Sequence, residues 1–249
     1  MDIVAVIPAR FASTRLPGKP LLSDTGKPLI QHVVEAARRA RRLQRVIVAT
    51  DDRRIADAVA AFGGEAVMTR DDHPSGTDRV AEVAAGLPDA RIIVNLQGDE
   101  PEISGAALDL VVSLLEDDPG APMATLATPI RAESVYRDPS CVKVVRAQSG
   151  RALYFSRSPI PCHRDGLPAP SGTTGVALLH LGLYAYRRDF LLTLAQLPPS
   201  PLERAEKLEQ LRVLEAGHAI AVGIVEEPSI GIDTPDDYRR FVARCRAGG

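Results

Sequence analysis

The sequence contains no tryptophan and only 5 phenylalanines and 5 tyrosines. Stacking platforms for single-stranded nucleic acid are therefore scarce. It also lacks an excess of one charge: 30 Lys and Arg stand against 32 Asp and Glu, a net of −2. No global basic field points to a nucleic-acid partner. Cysteine is sparse. Cys141, Cys162 and Cys245 are widely spaced, odd in number and form no CxxC pair. That excludes a disulfide framework and suits reduced thiols in a cytosol. No stretch nears the ~18 apolar residues of a membrane span. The run Met1–Arg10 is too short and wrongly flanked for a signal peptide and starts like a strand. The expectation is a soluble, cytoplasmic protein with no membrane partner. What is present is an ordinary globular composition, 45% hydrophobic and 25% charged over 249 residues. Disorder, collagen and coiled coil fit it poorly, and the length suffices for a sizeable core.

Period and punctuation predict the elements. Ile3–Ile7 is a β-branched run stopped by Pro8, and 29–43 carries apolar residues at helical spacing. Val46–Ala49 is a second strand. Arg54–Phe62 is a helix stopped by Gly63-Gly64, Glu65–Met68 a strand, Thr77–Ala85 a helix and Arg91–Leu96 a buried strand. Strand and helix alternate as in a parallel sheet covered by helices. Ligands collect beyond the carboxyl ends of such strands. The segments there are 8–20, 50–53, 69–77 and 97–101. The second half predicts strands at Met123–Thr128, Val142–Arg146, Ala152–Phe155, His180–Tyr186 and Ala219–Val225, and helices at 202–215 and 235–246. Their spacing suggests an antiparallel or mixed extension. No internal repeat and no domain linker occur. The fold class expected is α/β: a Rossmann-like nucleotide-binding mixed sheet flanked by helices, with a smaller sugar-binding and dimerisation extension. Residues 1–128 would mainly bind nucleotide, 129–225 sugar and a second copy, and 226–249 would return to the core.

The usual nucleotide and hydrolase signatures are missing: no GxGxxG, no Walker A loop at Pro17-Gly18-Lys19-Pro20, no HExxH and no GxSxG. His163-Arg164-Asp165 mimics a kinase triplet inside a Pro/Gly/Ser-rich loop, 163–174, and reads as a polar surface loop. The arginines 38, 39, 41, 42 and 45 read as a solvated face at a helix end, where cations favour the dipole.

The segment 10–20 packs Arg10, Arg15, Lys19, Ser13, Thr14 and Gly18 behind the first strand. Backbone N–H groups, Arg forks and a Lys point charge can wrap a triphosphate. A basic turn without ligand is the alternative. The motifs Ile7-Pro8-Ala9-Arg10, Ser13-Thr14-Arg15-Leu16-Pro17-Gly18-Lys19-Pro20, Ala49-Thr50-Asp51, His73-Pro74-Ser75-Gly76-Thr77 and Asn95-Leu96-Gln97-Gly98-Asp99-Glu100-Pro101 resemble the sugar-acid cytidylyltransferases. Tyr154-Phe155-Ser156-Arg157, His180-Leu181-Gly182-Leu183-Tyr184, Leu208-Glu209-Gln210-Leu211-Arg212 and Gly231-Ile232-Asp233-Thr234-Pro235 narrow the resemblance to the branch acting on 3-deoxy-manno-octulosonate (KDO). The motifs run in order from residue 3 to about 240.

The resemblance implies Mg²⁺-dependent transfer of CMP from CTP to the anomeric 2-hydroxyl of KDO, releasing pyrophosphate, for lipopolysaccharide biosynthesis. Positioning and charge stabilisation dominate such chemistry. It implies that Asp99 and Asp233 hold the metal and that Arg10, Arg15 and Lys19 contact the triphosphate, with Lys19 and Arg10 joining the two aspartates in catalysis. Pro8, Ala9, Ser75 and Gly76 would line base and ribose, and Gln97 would meet nucleotide or sugar. Arg79 would assist there, or serve as a surface ion pair. Arg157, His180, Tyr184, Glu209 and Gln210 would form the sugar-acid pocket. For Asp233 the alternative is a helix cap, and for His180 a packed core residue. Leu179 stands where the family pattern has a basic residue. An 8-amino-KDO or sialic-type acid as substrate, and a nucleotide-binding protein without turnover, are the competing readings. A homodimer is expected.

Overall fold

The computed structural model describes residues 2–12, 16–162, 164 and 177–247. The chain forms two compact units: residues 1–109 with 229–249, and residues 110–228.

In the first unit, β1 (Asp2–Ala9) pairs in parallel with β2 (Arg45–Thr50) and with β4 (Ala90–Asn95), and β2 pairs in parallel with β3 (Glu65–Met68). The helices are α1 (Leu29–Ala37), α2 (Arg53–Ala61), α3 (Gly76–Ala85) and α9 (Pro235–Ala247). Ile3, Val4, Ala5, Val6 and Ile7 are all buried, as a strand covered on both faces requires. Pro8 does not stop β1. Its ring removes only an N–H, and by Pro8 the pairing with β4 has already ended at Val6–Asn95 while that with β2 continues to Ala9–Thr50. The helix expected over 29–43 ends at Ala37. The Arg41 and Arg42 amides donate instead to the Asp109 carboxylate at 3.2 and 2.9 Å. The arginine cluster therefore follows the helix rather than riding on it.

α4 (Gly105–Asp117), unforeseen in the sequence, is shared between the units. The second unit holds β5 (Met123–Pro129), α5 (Glu133–Arg137), β6 (Lys143–Arg146), β7 (Ala152–Ser156), β8 (Leu178–Arg187), α6 (Arg188–Leu194), α7 (Pro201–Glu206), α8 (Gln210–Glu215) and β9 (Ile220–Ile224). β5 runs antiparallel to β8 and parallel to β9, and β6 antiparallel to β7 and β8. This is the mixed extension expected. The single helix expected over 202–215 is two. Lys207 takes a left-handed conformation, φ 55°, after the Ser200 capping box has started α7. Among the described residues no helix is long and apolar enough to cross a membrane.

Candidate active site

The first unit gathers three distant stretches at one cation. Gly18, at φ 66°, turns the chain into a 3-10 turn over Lys19–Leu21. Lys19 Nζ then donates to Asp99 Oδ2 at 2.7 Å and to the Ile232 carbonyl at 2.8 Å, with Asp233 Oδ1 at 3.7 Å. The Ile232 amide donates to the Asp99 carbonyl at 2.9 Å, which fixes the two aspartate-bearing turns to each other. Asp233 does not cap α9. Thr234 and Asp237 do: Thr234 Oγ1 accepts from the Asp237 amide at 3.2 Å, and Asp237 Oδ2 accepts from the Thr234 amide at 2.9 Å. The Asp237 carboxyl is held down to about 2, first by the Thr234 hydroxyl. Glu100, beside this cluster, is bonded through its carboxylate to the Ser229 hydroxyl. Burial raises its pKa, and the Asp99 and Asp233 charges push it further. The sequence reading left Glu100 out, although it sits inside a quoted motif.

The residues expected on the nucleotide side lie along the end of β1. Ala9 is buried and Pro8 half-buried. A Cβ on Gly98 would stand 3.0 Å from the Pro8 carbonyl, so a larger residue would push the 97–100 turn away from β1 by a few tenths of an ångström. Gly76 faces the Pro8 ring from α3, and Ser75 caps that helix, accepting from the Asp78 amide at 3.2 Å. Arg10 Nη2 donates to the His73 carbonyl at 2.8 Å, tying the loop that follows β1 to the stretch leading into the Ser75-Gly76 turn. Among the described residues the Gln97 amide donates to Asn95 Oδ1, at 3.5 Å. Arg79 is no surface ion pair. It is 0% exposed, bonded to Asp51 Oδ2 at 2.9 Å and to the Thr69 hydroxyl, with no partner for Nε among the described residues. Its sequence signal was the apolar face of α3 on which it falls. Arg15 and the loop 163–174, Arg164 excepted, lie outside the described residues.

The second unit carries the residues expected on the sugar side. A register shift between Thr125 and Leu126 sets Tyr184 opposite Thr125 and His180 opposite Ala127, so both rings share one face of the sheet. The rings lie 5.4 Å apart, and Phe155 meets His180 edge-on at 5.1 Å. Burial lowers the His180 pKa to about 3 and raises that of Tyr184. Thr125 Oγ1 donates to the Leu183 carbonyl at 2.8 Å and stands 3.0 Å from His180 Nε2. When the hydroxyl proton goes to the Leu183 carbonyl, the tautomer of neutral His180 that donates through Nε2 satisfies Thr125 and keeps Nδ1 as an acceptor. Tyr184 donates to Gln210 Oε1 at 3.3 Å, whereas Gln210 Nε2, in a residue 4% exposed, has no partner among the described residues. A buried orphan donor costs stability unless a ligand takes it. Glu209 is exposed at the start of α8. Arg157 is committed to backbone: Nε donates to the Glu206 carbonyl at 2.7 Å and Nη1 to that of Pro139 at 3.0 Å.

Among the described residues no group of three or more His, Cys, Asp or Glu could cage a metal. A hard divalent ion bound through one or two carboxylates plus phosphate and water needs no such cage. Asp99 and Asp233 already converge on one positive charge, that of Lys19, and so fit a small cation between them.

The cytidylyltransferase family model matches residues 4–220. The 3-deoxy-manno-octulosonate cytidylyltransferase of Syntrophotalea carbinolica is 53% identical over 99% of both chains. That of Geobacter sulfurreducens is 51% identical over 99% of this chain and 100% of its own. A solved structure of CMP:2-keto-3-deoxy-manno-octonic acid synthetase complexed with CTP superposes with a TM-score of 0.92, at 46% identity and with both chains covered in full.

Proposed function

The chain belongs to the 3-deoxy-manno-octulosonate cytidylyltransferase family, and from that premise we propose that it transfers CMP from CTP to the anomeric 2-hydroxyl of KDO. The observation that carries this reading is the convergence of Asp99 and Asp233 on Lys19 beside the end of β1. The sugar hydroxyl attacks the α-phosphorus, an oxygen–phosphorus bond forms, and pyrophosphate leaves with the bonding pair. Lys19 and Arg10 supply the fixed positive charge that holds the phosphates in line. Asp99 and Asp233 would hold Mg²⁺, which when bound neutralises phosphate charge and acidifies the sugar hydroxyl. Pro8, Ala9, Ser75 and Gly76 offer the flat backbone edge against which a pyrimidine lies. Arg79 stiffens that turn from beneath, through Asp51 and Thr69. Arg15 adds a further phosphate fork, and Gln97 a contact to nucleotide or sugar.

Gln210 Nε2, His180 Nδ1, the Tyr184 hydroxyl and the Glu209 carboxylate are set to hold a polyol acid, with Arg157 beside them. A triphosphate substrate supports a cytoplasmic site for the reaction, where activated KDO would serve lipopolysaccharide assembly. A homodimer is part of the proposal. Leu153 on β7, 61% exposed, gives the second unit an apolar surface for a second copy, and sedimentation of Leu153→Asp against wild type reads it. The function is tested with CTP, Mg²⁺ and a panel of KDO, 8-amino-KDO and sialic-type acids, following pyrophosphate. Release with KDO at the highest kcat/KM is expected. Release only with another acid would move the substrate, and release with none would leave a nucleotide-binding protein.

A further inference from the structure

Lys143 lies on β6 with its side chain completely buried, 0% exposed, and takes no part in the chemistry above. Its ammonium has three protons and three acceptors, all backbone carbonyls: Asp138 at 2.9 Å, Cys141 at 2.5 Å and Arg157 at 2.6 Å. A buried charge without a carboxylate in hydrogen-bond contact is costly, and burial accordingly lowers its pKa. A methionine would fill nearly the same space without that cost. The charge therefore has to be judged by what it holds.

It holds the end of β7. The Arg157 carbonyl is fixed by Lys143, and the Arg157 amide donates to Glu206 Oε2 at 2.9 Å. Ser156 Oγ donates to Glu206 Oε1 at 2.6 Å and accepts from the Ser158 amide at 3.0 Å. The Arg157 guanidinium then takes the Glu206 carbonyl at 2.7 Å, and the Lys207 carbonyl lies 3.4 Å from it. These are the residues at which α7 breaks and after which Glu209 and Gln210 begin α8. A continuous helix would turn Gln210 through a different angle about its axis, away from Tyr184.

We propose that Lys143 is a positioning residue for the sugar acid, which it serves through Arg157 and the 206–209 break that sets Glu209 and Gln210. This rests on the sugar-acid reading of the second unit. The nucleotide groups belong to the first unit, so loss of Lys143 should leave them alone.

The test uses the full chain and the sugar acid that gives pyrophosphate with wild type. Lys143→Met should raise the KM for the sugar acid at least tenfold while the Kd for CTP stays within twofold. Glu206→Gln, which weakens the same link from its other side, should move the same constant in the same direction by about threefold or more. A general loss of structure would shift both ligands together, so the split separates positioning from stability. A sugar-acid KM within twofold of wild type overturns the proposal, and so does a parallel rise for CTP. Should Lys143→Met not fold, Glu206→Gln decides by the same criteria. Absence of wild-type turnover with every acid would instead refute the proposed function, a different result.

Discussion

Lys19 donates to the Asp99 carboxylate and the Ile232 carbonyl and pairs at 3.7 Å with Asp233, and the two carboxylates are those that the proposed chemistry assigns to a metal. A lysine is a point charge with rotatable donors, so it can hold the acids together and still turn to a phosphate. Asp99→Asn should keep the fold and most CTP affinity, read by calorimetry, while pyrophosphate release falls by about 10²–10³. Turnover at the wild-type rate would refute the metal assignment. His180 makes a second prediction. Its folded pKa, about 3, lies below the ordinary 6.5, so the unfolded chain takes up the proton first as pH falls. Stability is full above 6.5 and declines between 6.5 and about 3, by on the order of 1 kcal/mol per pH unit over that span. His180→Gln should flatten this decline in urea midpoints measured from pH 7 to pH 4. An equal slope in both proteins would contradict it.

At the level of elements, α9 is started by Thr234 and Asp237, which leaves Asp233 to the site. Thr234→Ala should cost about 1 kcal/mol, a fall in Tm of roughly 2–4 °C, and should lower kcat by loosening Asp233. Scanning calorimetry and pyrophosphate release read the two effects. Alternation of short strand and helix periods made the parallel half legible in the sequence, with Gly63-Gly64 marking the end of one helix. The break at Lys207 was illegible. Leu202, Ala205, Leu208 and Leu211 keep helical spacing across it, and the Glu206 carbonyl at the break accepts instead from the Arg157 guanidinium, just past β7 and far away in sequence. α4 was legible but missed: Leu108, Val111, Val112 and Leu115 are all buried at helical spacing behind Ser104, whose hydroxyl accepts from the Ala107 amide. The candidate site was legible mostly through motif resemblance. Spacing alone could not say that Asp99 and Asp233 meet, nor that Arg79 is buried, since both follow from tertiary packing.

On the scale of the molecule, the first unit is built from two separate stretches of chain. Leu16 and Leu29 share one apolar cluster with Ile232, Tyr238, Phe241 and Val242. Each such side chain is worth ~1.5–3 kcal/mol of burial, against a total stability of roughly 5–15 kcal/mol. A chain shortened by residues 229–249 should therefore lose CTP binding by calorimetry and bind a dye for exposed apolar surface. Retained affinity would show the cluster dispensable. The same division orders events on the ribosome. Residues 110–228 are synthesised before the stretch that closes the first unit, and domains generally fold as units during synthesis. Asp99 therefore waits, without its partner acid, while the whole second unit emerges. On the proposed function a nascent chain should be unable to spend CTP, because the carboxylate pair comes together only after every residue of the second unit has been made.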